Sequence, residues 1–230
     1  RPLTGSNELI THSGLVNPEN AHRLVHNLRF FHIWHLLSQF EKEGREYDRV
    51  ITTDVRDVMF QGNPSDWLDA NQEKPIIAPC ESVMYRDESW NLNNFVTTFG
   101  NVLWEYLGKD IQVCNVGTIA GNVDEIKDMC YMIYSLAVGN GHGDQPAFNI
   151  LANTSYKDRV QFVRTDDYWA CQTGTLVENY DKLKSVLLDK PPYMGMDGLV
   201  RNSKDDVFCL VHQYERIPEW NEIIEKKYPL

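Results

Sequence analysis

The chain has 230 residues, of which 42% are hydrophobic and 24% are charged, which is enough for one α/β domain with a full core or at most two small domains; we take residues 1–230 as one domain. Its formal net charge of -11 argues against a nucleic-acid partner, because surfaces that follow phosphates need clustered Lys and Arg. No apolar stretch reaches the roughly 18 residues of a membrane-spanning helix, so we expect no membrane segment in this chain.

The first predicted element is a long amphipathic helix. Asn17 precedes Pro18 and Glu19, which is typical of an N-cap followed by a first turn with proline and negative charge. Apolar residues follow in one stripe at helical spacing: Leu24, Val25, Leu28, Phe31 and Leu36. We expect this helix to face the core and to end at Glu43, where Gly44 stops it.

Three short apolar segments come next and are predicted to be strands. Residues 49–54 form a β-branched run that ends in charged residues, which we interpret as a central parallel strand. Residues 75–79 lie between two prolines, and residues 112–120 are followed by Gly121, which breaks the segment.

The second half of the chain continues the alternation of helices and strands. We predict helices over residues 124–136 and 145–151, strands over 159–163 and 207–212, and a closing helix over 218–226. Strands that alternate with helices indicate an α/β fold with a mostly parallel sheet covered on both faces. The least regular regions, residues 80–94 and 169–203, are interpreted as binding loops.

Neither the start of the chain nor its cysteines assigns a compartment. The sequence begins with Arg1 and shows no signal or transit pattern, so a fragment with an upstream leader or anchor stays open. The location is then open between the cytoplasm and, with such an anchor, the Golgi or secretory lumen. The five cysteines lack the spacing of a zinc site and are predicted to be buried free thiols.

Two carboxylates follow the first predicted strand. Asp54 ends the strand segment and Asp57 follows three residues later, at the strand end where open α/β sheets bind ligands. Mg²⁺ and Mn²⁺ prefer such hard oxygen ligands. Because residues three apart point to opposite faces of an extended strand, both can reach one ion only if the chain bends after Asp54. The alternative is a solvated loop with charges of both signs.

This segment resembles the DxD signature of GT-A glycosyltransferases, although its spacing here is Asp-x-x-Asp. The resemblance implies that Asp57 binds the metal and that Asp54 binds the donor ribose or the metal. Arg56 then balances the charge of the diphosphate, or alternatively pairs with a carboxylate and does nothing more.

Two further segments resemble the same family. Residues 115–117 are similar to the Asn-x-Gly strand of many GT-A enzymes, which implies that Asn115 faces the donor sugar and that Gly117 lets the backbone come close. Residues 144–149 are similar to the Asp-Gln-x-x-x-Asn segment of glycogenin-like and lipopolysaccharide galactosyltransferase-like enzymes. By this resemblance Asp144 orients or deprotonates the acceptor hydroxyl, and Gln145 supports the oxocarbenium-like centre. The alternative for Asp144 is helix capping.

The last predicted strand ends in His212, a potential metal ligand. In several GT-A families a late histidine completes the coordination sphere, so the resemblance implies this role here, and an ordinary histidine at a strand end is the alternative. Arg29, on the first helix, is a candidate for the donor diphosphate. Trp90 and Asn91 are candidates for the acceptor or sugar site, with packing as their alternative.

The resemblance as a whole implies a GT-A, Rossmann-like domain with a mixed, mostly parallel sheet. It implies a glycosyltransferase that uses Mn²⁺ or Mg²⁺ and a nucleoside-diphosphate sugar, with a glycan, glycoprotein or glycolipid as acceptor, and retention is favoured over inversion. A sugar nucleotidyltransferase is one alternative, although its early Gly-rich loop is not visible, and an inactive glycan-binding module is another. The first βα unit of the fold is hard to find, because only residues 8–11 are strand-like before the helix.

Overall fold

The computed structural model describes residues 10–11, 14–15, 18–137, 142–184 and 190–228, with side chains from residue 25 onward. The helices are α1 (Pro18–Lys42), α2 (Pro64–Asn71), α3 (Ser89–Tyr106), α4 (Val123–Leu136), α5 (Asp144–Asn153), α6 (Thr173–Leu176), α7 (Tyr180–Leu183) and α8 (Pro218–Lys227). The strands are β1 (Ile10–Thr11), β2 (Gly14–Leu15), β3 (Arg49–Thr53), β4 (Val58–Phe60), β5 (Ile76–Met84), β6 (Gln112–Cys114), β7 (Thr118–Asn122), β8 (Val160–Val163), β9 (Ala170–Gln172), β10 (Tyr193–Met194), β11 (Val200–Arg201) and β12 (Leu210–His212).

A five-stranded mixed sheet forms the centre of the described fold. Strand β7 pairs antiparallel with β3 and with the first part of β5. Further along, β5 pairs antiparallel with β6, and it also pairs in parallel with β8. Strands β3, β5 and β8 therefore run in one direction, and β7 runs between β3 and β5 in the opposite direction.

A second, three-stranded sheet has β12 in its centre. Strand β12 pairs antiparallel with β4 and in parallel with β9. The register places His212 opposite Gln172 on one side and opposite Val58 on the other. This register brings the ends of three separate chain segments to one point.

The two sheets pack in layers. This is shown by side chains that point alternately to the two faces of a strand. Ile76 and Ala78 of β5 face the core that contains residues of α1, α4 and α5, whereas Ile77 between them faces a second core. That second core also contains Trp67 of α2 and Leu210 of β12, so it lies between the sheets. Because side chains alternate along a strand, each sheet buries both of its faces.

Local capping explains where two of the helices begin. The side chain of Asn63 accepts a hydrogen bond from the Ser65 N–H at 3.1 Å, and α2 starts with proline in its first turn. Helix α3 is capped by the carboxylate of Glu88, which accepts from the N–H groups of Trp90 and Asn91 at 3.1 and 2.7 Å. These caps fix the entry of both helices.

The prediction of an α/β fold is confirmed, but the prediction of a mostly parallel sheet is wrong. Only the β5–β8 and β9–β12 pairings are parallel among the strands that the structure describes. Strand β3, predicted to be central and parallel, is the terminal strand in the described order and pairs antiparallel with β7. Hydrophobic composition cannot distinguish these arrangements, because a strand buried on both faces has the same pattern in either direction.

Several boundaries also differ from the predictions. The strand predicted over residues 112–120 is divided into β6 and β7, and the late strand is limited to Leu210–His212. The region of residues 80–94, interpreted as a loop, contains the end of β5 and the start of α3. The predicted cap Asn17 lies outside the described residues, whereas the stop at Gly44 is confirmed by its φ of 70°. Among the helices of the described segments, none combines the length and apolarity needed to cross a bilayer.

Candidate metal centre

A change of sheet brings the two predicted carboxylates together. The N–H of Asp54 donates to the carbonyl of Gly117 at 3.1 Å, which holds the end of β3 in the five-stranded sheet. The carbonyl of Asp57 accepts from the N–H of Gln213 at 2.6 Å, at the start of β4 in the other sheet. The chain therefore bends between these residues, which is the condition that the Asp-x-x-Asp spacing requires.

The bend places both carboxylates beside His212. The distances from His212 Nε2 to Asp54 Oδ2 and to Asp57 Oδ2 are 3.3 and 3.6 Å. One ligand atom from each of the three residues lies within 4.8 Å of the others. Two carboxylate oxygens and one imidazole nitrogen form a ligand set that suits a divalent cation of the Mn²⁺ type. The structure thus brings together all three residues that the sequence predicted as metal ligands.

The imidazole of His212 is oriented as a ligand would be. It is 2% exposed, and its Nδ1 lies 2.7 Å from Oε1 of Gln172. The amide of Gln172 donates through Nε2 to Thr118 Oγ1 at 3.1 Å, so its oxygen is free to accept a hydrogen bond from Nδ1–H of His212. The other ring nitrogen, Nε2, is buried and has no hydrogen-bond partner within the described residues. A buried, unsatisfied nitrogen directed at two carboxylates fits a metal ligand.

Gly117 is required by the position of this imidazole. A Cβ at residue 117 would lie 2.7 Å from Cε1 and 2.9 Å from Nε2 of His212, and 2.9 Å from Oδ1 of Asn115. Side-chain carbons do not approach other atoms this closely, so any larger residue would displace the ring. The resemblance implied a close approach of backbone at Gly117, and the described contact is with His212.

Arg29 connects the metal ligands to Asp144. Its Nη1 donates to Oδ1 of Asp54, and its Nη2 donates to Oδ2 of Asp144 at 2.8 Å. Burial by itself would raise the pKa of Asp54, but the adjacent His212 and the charge of Arg29 outweigh it and lower the pKa to about 2. Asp54 is therefore ionised and ready to bind a cation.

A cavity of about 510 Å³ lies beside the three ligands. Most of the predicted site residues line it: Arg29, Asp54, Asn115, Gly117, Asp144, Gln145 and His212. Its volume is typical of small-molecule sites, which run from roughly 300 to 1,000 Å³. Asp57 is not part of the lining but reaches the same metal group, whereas Arg56 is exposed and does not line the cavity. The structure therefore does not bring Arg56 to the position where it would balance a diphosphate.

A buried network supports the wall next to the metal group. Asn115 donates to Oε1 of Glu81 at 2.8 Å and accepts from the N–H of Gly117 at 2.7 Å. Oε2 of Glu81 accepts from the hydroxyl of Thr175 at 2.6 Å. Glu81 is 4% exposed and lines the cavity, and its burial raises the pKa of its carboxyl. Asn115 is thus held by internal partners on both sides of its amide.

The predicted catalytic pair, Asp144 and Gln145, lies at the start of α5. Gly143 occupies the N-cap position and Asp144 is the first helical residue, so the capping alternative for Asp144 finds no support in the described hydrogen bonds. Nε2 of Gln145 donates to Oδ1 of Asn91 at 2.6 Å, which links this helix to α3. Trp90, the neighbour of Asn91, is 54% exposed and lines the cavity.

Sequence reasoning missed several residues of the site, among them Gln172, Glu81, Lys182 and Arg216. Gln172 ends β9 in a region interpreted as a loop, and Glu81 lies within β5 beyond its predicted end. Lys182 and Arg216 also line the cavity and add positive charge to its wall. The available signal for Gln172, as for His212, was a polar residue at the end of a short apolar run. Lys182 and Arg216 carried no local sequence pattern.

The fold and the site define an α/β protein with a candidate divalent-metal centre at the edge of a cavity. No protein-family model matches the chain, and no curated protein matches it either. The resemblance to GT-A glycosyltransferases accordingly rests on the motifs quoted from the sequence and on their arrangement.

Proposed function

We propose that the protein is a metal-dependent glycosyltransferase of the GT-A type, which moves a sugar from a nucleoside-diphosphate sugar to a hydroxyl of a glycan, glycoprotein or glycolipid. The observation that carries the proposal is the unsatisfied Nε2 of His212, directed at Asp54 and Asp57 beside a cavity of about 510 Å³. A carboxylate-rich cation site next to a polar cavity suits a substrate that carries phosphates.

In this proposal the diphosphate of the donor lies between the metal ligands and the part of the cavity wall that contains Lys182 and Arg216. Asp54, Asp57 and His212 would hold Mn²⁺ or Mg²⁺, and the ion would neutralise charge that develops on the leaving nucleoside diphosphate. Lys182 and Arg216 line the same cavity and offer further cationic groups for phosphate oxygens. They take the role that the sequence resemblance implied for Arg56.

In this proposal the donor sugar and the saccharide acceptor lie against a part of the cavity that is rich in aromatic and amide side chains. The ring of His142 lies 5.1 Å from that of His26 and 5.8 Å from that of Trp90, and all three residues line the cavity. Aromatic faces pack on the apolar faces of sugar rings, and amides such as that of Asn91 bind hydroxyls. This composition favours a neutral polyol over a purely apolar ligand.

Asp144 and Gln145 are the proposed catalytic pair. Asp144 orients or deprotonates the acceptor hydroxyl, and Arg29 acts as a positioning residue because it holds Asp144 and Asp54 at once. Gln145 supports the anomeric centre from the cavity wall, with Asn91 fixing its amide. We favour retention of the anomeric configuration, and the anomer of the product, observed by NMR, decides between retention and inversion.

The proposal is tested by incubation with a panel of nucleotide sugars and Mn²⁺, with and without saccharide acceptors, while release of nucleoside diphosphate is measured. We expect turnover with at least one donor, and a loss on the order of 10²-fold or more in Asp57→Asn. Asp110→Asn is the matched control, because this aspartate is 68% exposed and lies outside the cavity lining.

Two added measurements, one with a nucleoside triphosphate and a sugar phosphate and one of saccharide binding, separate the two alternatives from the proposal. Release of pyrophosphate from a nucleoside triphosphate and a sugar phosphate, without transfer from any nucleotide sugar, identifies a nucleotidyltransferase. Saccharide binding that is equal in the wild type and in Asp57→Asn, without turnover of any donor, identifies a non-catalytic module. Either result would overturn the proposal.

A further inference from the structure

Two buried cysteines lie in contact beneath the wall of the cavity. Cys80 of β5 and Cys114 of β6 are register partners in the antiparallel ladder, and their Sγ atoms are 3.1 Å apart. Both are free thiols, 2% and 0% exposed. The remaining cysteines, Cys130, Cys171 and Cys209, have no comparable sulfur contact among the described residues.

The backbone around this pair is suited to a covalent link. The N–H and carbonyl of Cys114 bond to the side chain of Asn149, at 2.8 and 2.7 Å, and not to Cys80. The pair is therefore the non-hydrogen-bonded type, in which Cα atoms of an antiparallel ladder are separated by about 4.5 Å. Disulfides span Cα separations of roughly 4.4 to 6.8 Å, so a bond needs only a small approach of the two sulfurs.

We propose that Cys80 and Cys114 are a modification site that forms an intramolecular disulfide under oxidising conditions. The oxidant is a small-molecule disulfide such as glutathione disulfide. One cysteine thiolate attacks it and releases one thiol, and the second cysteine attacks the resulting mixed disulfide and releases another. Two protein thiols and one oxidant disulfide thus become one protein disulfide and two small thiols.

Burial determines when this exchange occurs. Burial, reinforced by the neighbouring Cys80, raises the pKa of Cys114 well above that of an exposed thiol. The folded protein therefore presents little Cys114 thiolate to an oxidant. The bond therefore forms during folding or during transient opening of β5 and β6. Once formed, it is shielded from reductants by the same burial.

The bond bears directly on the cavity. Side chains alternate along a strand, so Glu81 and Asn115, the neighbours of the two cysteines in sequence, point to the opposite face of the β5–β6 ladder. Their hydrogen bond of 2.8 Å lies on the cavity side, and both residues line the cavity. A disulfide would clamp the two strands that carry this hydrogen bond.

The test is refolding of the whole chain from denaturant in glutathione buffers, one oxidising and one reducing. The samples are acid-quenched, alkylated under denaturing conditions, digested and analysed by mass spectrometry. In the oxidising buffer we expect two of the five cysteines to escape alkylation and a peptide that joins Cys80 to Cys114. In the reducing buffer all five are alkylated.

Variants make the assignment specific. Cys80→Ser should lose the linked peptide, whereas Cys171→Ser, which removes another buried thiol, should retain it. The linked protein should melt higher than its reduced form by on the order of 5–10 °C, because the bond closes a loop of roughly 35 residues in the unfolded chain. Five alkylated cysteines after oxidative refolding, or a link between any other pair, would overturn the proposal.

Discussion

At the scale of single residues, the centre depends on side chains that hold other side chains. His212 has one nitrogen fixed by Gln172 and the other directed at two carboxylates. Arg29 fixes Asp54, and Asn115 fixes the loop that ends at Gly117. Such supporting contacts hold the candidate ligands in place, which would reduce the entropic cost of binding a cation.

Gln172→Met tests the support of His212. Methionine fills a similar volume, but its thioether is a poor acceptor for a hydrogen bond from Nδ1–H of His212. The ring therefore loses its fixed tautomer and orientation. We expect the affinity for Mn²⁺, measured by isothermal titration calorimetry, to fall by about 10- to 100-fold. Gln39→Met is the control, because the side chain of Gln39 bonds only to the surface residue His35 among its described partners. An unchanged affinity in Gln172→Met would contradict this role.

Glu81→Gln tests the buried carboxyl. Burial raises the pKa of Glu81 above its ordinary 4.5, although Thr175 and Asn115 donate hydrogen bonds that oppose the shift. The folded protein then holds this proton more tightly than the unfolded chain, so the associated stability is fully present below pH 4.5 and is lost as pH rises through the folded pKa.

Glutamine does not titrate, so urea unfolding of both proteins between about pH 4 and pH 8 isolates the effect. We expect the free energy of unfolding of the wild type to decrease relative to that of Glu81→Gln as pH rises. A constant difference between the two proteins across this range would show that the carboxyl does not titrate within it.

At the scale of elements, the passage from β3 to β4 creates the ligand pair. The two strands belong to different sheets, and the residues between them are held by Gly117 at one end and Gln213 at the other. Strand β7 pairs with β5 on one side and with β3 on the other. Gly117 directly precedes β7, so the pairing of β7 with β5 also determines where Gly117 lies. Strand pairing and site geometry are therefore coupled.

Gly121→Ala tests this junction. Gly121 has a φ of 157°, and a Cβ at this residue would lie 2.1 Å from the carbonyl oxygen of Pro75. Strands β7 and β5 would therefore have to separate. We expect a loss of about 3 kcal/mol in the free energy of unfolding, measured with urea. Gly62→Ala should change it by less than about 0.5 kcal/mol, since its Cβ would meet only Cys209 Cα at 4.0 Å. Equal effects of both substitutions would contradict the predicted strand coupling.

At the scale of the whole molecule, the cavity draws its walls from elements that are distant in sequence. Helices α1, α3 and α5 supply one group of residues, and the segments after β9 and β12 supply another. Because the candidate cation ligands come from both sheets, a bound ion would cross-link the two sheets. Metal binding should therefore be coupled to global stability.

Thermal unfolding with and without Mn²⁺ measures this coupling. A cation at 100 times its dissociation constant stabilises a protein by about 2.7 kcal/mol, if only the folded state binds it. For a chain of this size we expect the melting temperature to rise on the order of 5–10 °C. The rise should disappear with EDTA and in Asp57→Asn but persist in Asp110→Asn. A melting temperature that is independent of Mn²⁺ would argue against the metal centre.

The sequence by itself determined the α/β class and the candidate ligands. Asp54, Asp57 and His212 each follow an apolar run, and local patterns of this kind need no knowledge of partners. The stop of α1 at Gly44 and the proline at the start of α8 were readable for the same reason.

Only the tertiary structure decided how these pieces meet. The antiparallel placement of β3, the bend between the two sheets, and the selection of Gln172 as the partner of His212 depend on pairings between residues far apart in the chain. Such pairings follow from which faces bury against each other, and a buried strand has the same composition in either direction. The place of Lys182 and Arg216 in the cavity wall is likewise defined by the tertiary structure, because nothing in their neighbouring residues distinguishes them from other surface cations.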